Sequence, residues 1–170
     1  VSYSDNPRGI TLPAERRQQI VALCQRWSTK QKIYVIDDMA YRLLRYHGPD
    51  VPSLLHYDPT AEFTVACGTF SKSYSPGLRV GWGILPKELV EPVCSQKGNF
   101  DFGSPNFNQH LMQEIIQLGL FDVHVQRIRH AYGTKLAVIL KAAERFLGGL
   151  PGIHWIRPQG GLYLWMELPQ

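Results

Sequence analysis

The sequence predicts an α/β fold, a mostly parallel sheet with helices packed on it. Three observations carry that prediction. An amphipathic helical pattern leads directly into a continuous apolar run at residues 32–38, the order expected of a helix-covered parallel sheet. Two more strand patterns follow at 63–67 and 78–85, and near residues 119–121 sheet-type patterning gives way to the threes and fours of a long helix.

Taken in order, residues 1–9 end in the turn signal Asp5-Asn6-Pro7-Arg8-Gly9. A helix is expected over about 12–29, with Thr11 as its cap, Pro13 in its first turn and Glu15 at its positive end. Its apolar stripe reads Ile20, Leu23, Cys24 and Trp27. The strand at 32–38 ends in two carboxylates, Asp37 and Asp38. Residues 39–60 read as loop, with Gly48, Pro49, Pro52 and Pro59. The strand at 63–67 runs into the polar segment 68–77, and Pro86 closes the strand at 78–85. Residues 87–98 read as helix apart from Pro92. A helix near 106–118 carries Phe107, Leu111, Ile115 and Leu118, with Gly119 as its stop. The long helix over about 121–147 carries Ile128, Tyr132, Leu136, Ile139, Ala143 and Phe146, and Gly148-Gly149 end it. Short strands are expected near 153–157 and 162–168, around Pro158-Gln159-Gly160-Gly161.

Composition narrows the class. The chain has 170 residues, 44% hydrophobic and 19% charged, with a net charge of +4. That is a globular composition, not a disordered one. The basic residues are scattered; the densest groups, Arg16-Arg17 and Arg127/Arg129/His130, read as solvated surface rather than a nucleic-acid footprint. Cys24, Cys67 and Cys94 lack metal or redox spacing and fit packed thiols in a reducing, cytoplasmic setting. The six histidines lack ligand spacing, so no metal is expected. No stretch approaches the roughly 18 apolar residues of a membrane span. Val1 and Gln170 both read as cuts in a longer chain.

In open α/β sheets, ligands gather at the carboxyl ends of strands. Two such ends are chemically loaded here: Asp37/Asp38 with Tyr41, and Thr69/Ser71/Lys72 with Arg79. The turn at Asn6 adds an amide. Hydroxyls with an arginine suit a phosphate, a lysine beside them suits a Schiff base, and a carboxylate suits a protonated ring nitrogen.

These residues also carry a resemblance. Asn-Pro-x-Gly at 6–9, Asp-x-x-Tyr at 38–41, and Thr-x-Ser-Lys at 69–72 with an arginine at 79 resemble the class I/II aminotransferases. Gly-Leu-Arg-Val-Gly-Trp at 77–82 and Pro-x-Gly-Gly-x-x-x-Trp at 158–165 extend the likeness along nearly the whole chain. The nearest branch is the 2-aminoadipate/kynurenine aminotransferase-like one, with regulator-fused aminotransferase domains close by. Each motif is weak alone; their order and separations together are specific.

The resemblance implies a pyridoxal-phosphate (PLP) enzyme of fold type I, active in amino acid metabolism and biosynthesis by a ping-pong Schiff-base reaction between an amino acid and a 2-oxo acid. It implies that Lys72 holds the cofactor and shuttles the proton, and that Asp38 pairs with the ring nitrogen. Tyr41 and Asn6 would bond the cofactor's O3′, and Thr69, Ser71 and Arg79 would cradle its phosphate. Asp37 is expected as strand-end solvation, or else as a supporting charge. Tyr74 is expected to line the pocket, and Arg8 stands where the family more often has threonine. Residues 1–119 would be the second half of the large domain, with strand 78–85 as its antiparallel member. Residues 120–170 would be the linking helix and the beginning of the small C-terminal α/β domain. The family builds each site from both subunits of a homodimer, so this chain carries about half a site. Two alternatives stand beside the transaminase: a PLP lyase on the same fold, and a ligand-sensing domain fused to a DNA-binding helix-turn-helix, the one case in which nucleic acid is a partner.

Overall fold

The structure, a computed structural model, describes residues 1–169; Gln170 and the reading made of it lie outside the described residues. A three-stranded sheet in the order β1-β2-β3 organises the first half. β1 (Val35–Asp38) pairs in parallel with β2 (Thr64–Thr69), Val35 opposite Thr64 and Asp38 opposite Cys67. β3 (Gly81–Ile84) runs antiparallel to β2, with Gly81 opposite Thr69, as the resemblance implies for this strand. The strands at 32–38 and 78–85 are shorter than expected. Residues 76–78 instead form a 3-10 turn, and two more such turns, Arg42–Leu44 and Leu54–Tyr57, break the loop at 39–60.

The first helix, α1 (Ala14–Trp27), presents a different face from the expected one. Leu23 and Trp27 are exposed, while Arg17, Val21 and Cys24 are buried. Arg17 sets that face. It is 0% exposed, so Arg16-Arg17 is not a solvated pair. A buried guanidinium needs partners, and Arg17 has three carbonyls: Leu12 at 2.8 Å, Pro52 at 3.2 Å and Ser2 at 2.6 Å. Its Cζ also stacks 4.0 Å from the Tyr3 ring centroid. Thr11 does not cap α1; its hydroxyl accepts the Ser4 N–H, and Pro13 occupies the cap position.

α2 (Lys87–Asp101) continues through Pro92, contrary to the expected break. α3 (Asn106–Gln117) buries Met112 and Ile115, leaving Phe107, Leu111 and Leu118 exposed. α4 (Leu120–Leu147) buries Val125 and Ala143, while Ile139 and Phe146 of the expected stripe face outward. β4 (His154–Trp155) and β5 (Met166–Glu167) form a two-stranded antiparallel sheet. Two apolar clusters make the core: Tyr3, Met39 and Ala66 under β1 and β2, and Val80, Met112 and Ile115 between β3 and α3. The thiols are free, but only Cys24 is buried; Cys94 is exposed, against the expectation of packed thiols. Among the described residues no helix is long and apolar enough to cross a membrane.

Asp58 closes the turn that launches β2. Its carboxylate accepts the N–H groups of Glu62, Phe63 and Thr64 at 3.2, 2.8 and 2.8 Å. Burial pushes its pKa up, but those N–H groups outweigh burial and hold it below the ordinary carboxylate value of 3.8. The unfolded chain therefore binds this proton more tightly, so the stabilisation is fully present above pH 3.8 and is lost as pH falls through the folded value. Asp58→Ala is expected to cost about 2 kcal/mol at neutral pH by leaving backbone N–H groups unpaired. Urea denaturation of the two proteins at pH 7 and pH 3 measures it, and the gap should narrow at pH 3.

Candidate active site

The site assembles at the carboxyl ends of the parallel pair. Successive side chains on a strand point to opposite faces, and β1 ends in two carboxylates. Asp37 turns inward. It is 1% exposed and accepts the Ser2 hydroxyl and, at 2.9 Å, the Leu54 N–H. The expected strand-end solvation is thus corrected: Asp37 ties two loops to the strand. Asp38 takes the other face and is half-buried. Its Oδ1 accepts the Ala40 N–H at 3.0 Å, a local turn that carries the chain to Tyr41.

Tyr41 is buried, and its hydroxyl lies 3.3 Å from that of Tyr163, with the rings edge to face at 6.0 Å. Its pKa is pushed up to about 12, first by burial, then by the Tyr163 hydroxyl and the Asp38 charge. Tyr41 therefore stays a phenol through the neutral range.

Tyr163 was not identified from the sequence, and the only signal for it was its place inside Gly-Gly-x-x-x-Trp. The structure supplies the reason for its position. Gly161 N–H donates to Leu44 O at 2.8 Å, and the Tyr46 and His47 N–H groups donate to Gln159 O. A Cβ on Gly160 would meet Leu44 O at 2.2 Å, and Gly161 has φ +78° with Ser4 Cβ only 2.6 Å from its own Cβ position. Only glycines permit that contact.

β2 ends at Thr69, where the second group gathers. Thr69 Oγ1 lies 3.0 Å from Ser71 Oγ and accepts the Ser71 N–H at 3.1 Å. Arg79 Nη1 donates to Ser71 Oγ at 3.4 Å and to Pro76 O at 3.1 Å. Arg79 has φ 55°, uncommon for a residue other than glycine, and turns the chain from the 3-10 turn into β3. Lys72 is exposed on the same loop. Ser73 is buried, and Tyr74 packs on Phe121 and His124. Asn6 is exposed in a turn that Asp5 closes through Ile10 N–H and Arg8. Arg8, at the position where threonine is commoner, therefore has a local partner.

The structure thus brings together Thr69, Ser71 and Arg79 by hydrogen bonds and sets Asp38 and Tyr41 on one turn. Lys72 lies on the loop of the first group. Asn6 reaches the second only through its turn, where Gly9 packs on Pro158 and the Tyr163 carbonyl.

The sequence model of the family "Aminotransferase class I and II" matches residues 2–170. The chain belongs to the class I and II aminotransferases. Among relatives of this aminotransferase chain, a 2-aminoadipate transaminase of Thermus thermophilus is 30% identical over 97% of the chain and 40% of its own length. An uncharacterized HTH-type transcriptional regulator of Bacillus subtilis, YhdI, is 31% identical over 95% of the chain and 33% of its own length. The crystal structure of Pyrococcus horikoshii kynurenine aminotransferase, a complex with PMP, superposes with a TM-score of 0.92 at 27% identity, covering 100% of this chain and 40% of that one. The fold is that of the fold type I aminotransferases, and the chain spans about two fifths of the aminotransferases it matches.

Removing the Tyr163 hydroxyl should lower the pH at which Tyr41 ionises. Spectrophotometric titration of Tyr163→Phe against the parent tests this; an unchanged Tyr41 transition contradicts the shared hydroxyl contact.

Proposed function

We propose that this chain is the lysine-bearing part of an enzyme that moves an amino group between an amino acid and a 2-oxo acid, with pyridoxal phosphate as its cofactor. One observation carries the reading. A half-buried carboxylate and a buried phenol end one strand, and a lysine loop with two hydroxyls and an arginine in mutual hydrogen-bond contact ends its parallel neighbour.

The residues fit the cofactor. Arg79, Ser71 and Thr69 offer one guanidinium and two hydroxyls within a cluster spanned by contacts of 3.0 and 3.4 Å, a donor set suited to a phosphate dianion. Asp38 offers a carboxylate, oriented by Ala40 N–H, to a protonated ring nitrogen. Tyr41, kept protonated, offers an O–H to the ring's phenolic oxygen, with Asn6 as the second donor there. When bound, the cofactor supplies a carbonyl carbon for the amino group and an electron sink for the substrate's α-carbon.

Each residue then has one task. Lys72 would hold the cofactor through Nζ, and its amine would carry the proton to and from the substrate's α-carbon. Asp38 keeps the ring nitrogen protonated. Arg79, Thr69 and Ser71 fix the phosphate end so that the ring does not swing. The first 2-oxo acid leaves before the second enters. The reading extends to a division of the chain at Gly119, a left-handed residue between α3 and α4, and to a homodimer. Phe100, Phe102 and Phe107, all strongly exposed around the turn between α2 and α3, are apolar surface suited to burial against a second copy. Three free thiols suit the cytoplasm.

The relationship to YhdI favours a second reading, a ligand-sensing domain joined to a DNA-binding segment. In that case ligand binding persists and amino transfer is absent.

Borohydride reduction of the natural polypeptide with PLP, followed by peptide mass mapping, should place a pyridoxyl adduct on Lys72. An adduct elsewhere, or none on folded protein, contradicts the assignment. Asp38→Ala should retain some cofactor and lose turnover by about 100-fold or more; near-normal turnover removes Asp38 from its role. Transfer of the amino group to 2-oxoglutarate separates the transaminase from a lyase, which releases ammonia or carbon dioxide.

A further inference from the structure

We propose that Tyr163 is a positioning residue for the reaction read above: its hydroxyl aims the Tyr41 proton at the ring oxygen of the cofactor. The role rests on that reading, in which Tyr41 and Asn6 donate to the ring's phenolic oxygen. Tyr163 touches both arms of that arrangement. Its hydroxyl lies 3.3 Å from that of Tyr41, and its carbonyl lies 3.1 Å from the Cβ position of Gly9, in the turn that carries Asn6.

A phenol has one O–H to donate and lone pairs with which to accept, and either hydroxyl of this pair can be the donor. Donated from Tyr41 to Tyr163, the bond adds to burial in holding the Tyr41 proton. Donated from Tyr163, it fills an acceptor position on Tyr41 and leaves the Tyr41 proton for a third oxygen. A charged oxygen accepts more strongly than a neutral phenol, so the ring oxygen draws the Tyr41 proton and the bond between the phenols reverses. The result is a chain from Tyr163 to Tyr41 to the ring oxygen, in which each bond strengthens the next. At 3.3 Å the contact is long for two hydroxyls, which leaves room for it to shorten as the chain forms.

Backbone contacts hold the two phenols in register. The Leu44 N–H donates to Tyr41 O at 3.0 Å, and the Gly161 N–H donates to Leu44 O at 2.8 Å. The Tyr46 hydroxyl fastens the same segment, donating to Gly161 O at 2.7 Å. The rings meet at 81°, so the hydroxyls approach without the rings stacking. Asp38 is the charged group that acts on Tyr41, and it sits on the same turn, bonded to Ala40 N–H.

The pH midpoint at which the bound cofactor's visible absorption changes, measured on the natural polypeptide loaded with PLP, tests the proposal. A hydrogen bond donated to the ring oxygen favours the form that has lost a proton, so weakening that bond raises the midpoint. Tyr163→Phe, which keeps the ring, should raise it by about 0.5 pH unit, and Tyr41→Phe by about 1 pH unit or more. In the Tyr41→Phe background, Tyr163→Phe should add less than about 0.2 pH unit, because Tyr163 acts only through Tyr41. A 3-fluorotyrosine in place of Tyr163 is a stronger donor and should lower the midpoint, which keeps the test decisive if Tyr163→Phe fails to fold. Every variant retains Asp38. An unchanged midpoint in folded Tyr163→Phe, equal shifts in the two backgrounds, or a rise with 3-fluorotyrosine would each overturn the proposal, while a pyridoxyl adduct on Lys72 would leave the underlying reading standing. A parent with neither the adduct nor a pH-dependent absorption would overturn both.

Discussion

The carboxylate of Asp37 is the interaction on which the rest of this structure depends. It is buried at the end of β1, and it stays there because the Ser2 hydroxyl and the Leu54 N–H both donate to it. Ser2 in turn receives the Arg17 guanidinium on its carbonyl. One chain of hydrogen bonds therefore joins the N-terminal segment, α1, β1 and the 3-10 turn at Leu54–Tyr57. Because a strand alternates its faces, anchoring Asp37 inward obliges Asp38 to face the other way, toward the end of the sheet where Tyr41, Thr69 and the Lys72 loop gather. Two identical side chains, adjacent in sequence, thus sit in different surroundings, one buried and bonded and the other half-exposed.

The same economy of contact appears at the far end of the chain. The Gly160-Gly161 turn lies so close to Leu44 and Ser4 that no Cβ fits, and that approach delivers Tyr163 to Tyr41. The phenol at the site is thus held by a segment more than 100 residues away in sequence. The Arg45–Gln159 contact belongs to the same junction.

Much of this was legible in the residues. The three strands, the loaded strand ends and the four helices follow from apolar periodicity and from turn signals such as Asp5-Asn6-Pro7-Arg8-Gly9. The resemblance that singled out Lys72, Asp38, Tyr41, Thr69, Ser71, Arg79 and Asn6 was readable because the order and separations of those motifs reinforce one another. The faces of the helices were not. Leu23 and Trp27 look like core by spacing, but the burial of Arg17 rotates α1 so that Val21 points inward instead. Phe107, Ile139 and Phe146 are outward for a related reason: periodicity reports an apolar stripe without saying which surface covers it. Tyr163 and Arg45 act through partners that are distant in sequence, and no local pattern encodes those. Asp37 is the sharpest case, since the difference between a solvated and a buried strand-end carboxylate lies entirely in Ser2 and Leu54.

If Asp37 is the structural acid and Asp38 the chemical one, their removal must have opposite signatures. Urea denaturation of Asp37→Ala and Asp38→Ala, measured side by side in the same natural polypeptide, is the most direct measurement. Asp37→Ala should lose about 3 kcal/mol, as expected when buried donors lose a charged acceptor, and Asp38→Ala should stay within about 1 kcal/mol of the parent. Equal losses, or a larger loss for Asp38→Ala, would contradict the division of labour between the two carboxylates.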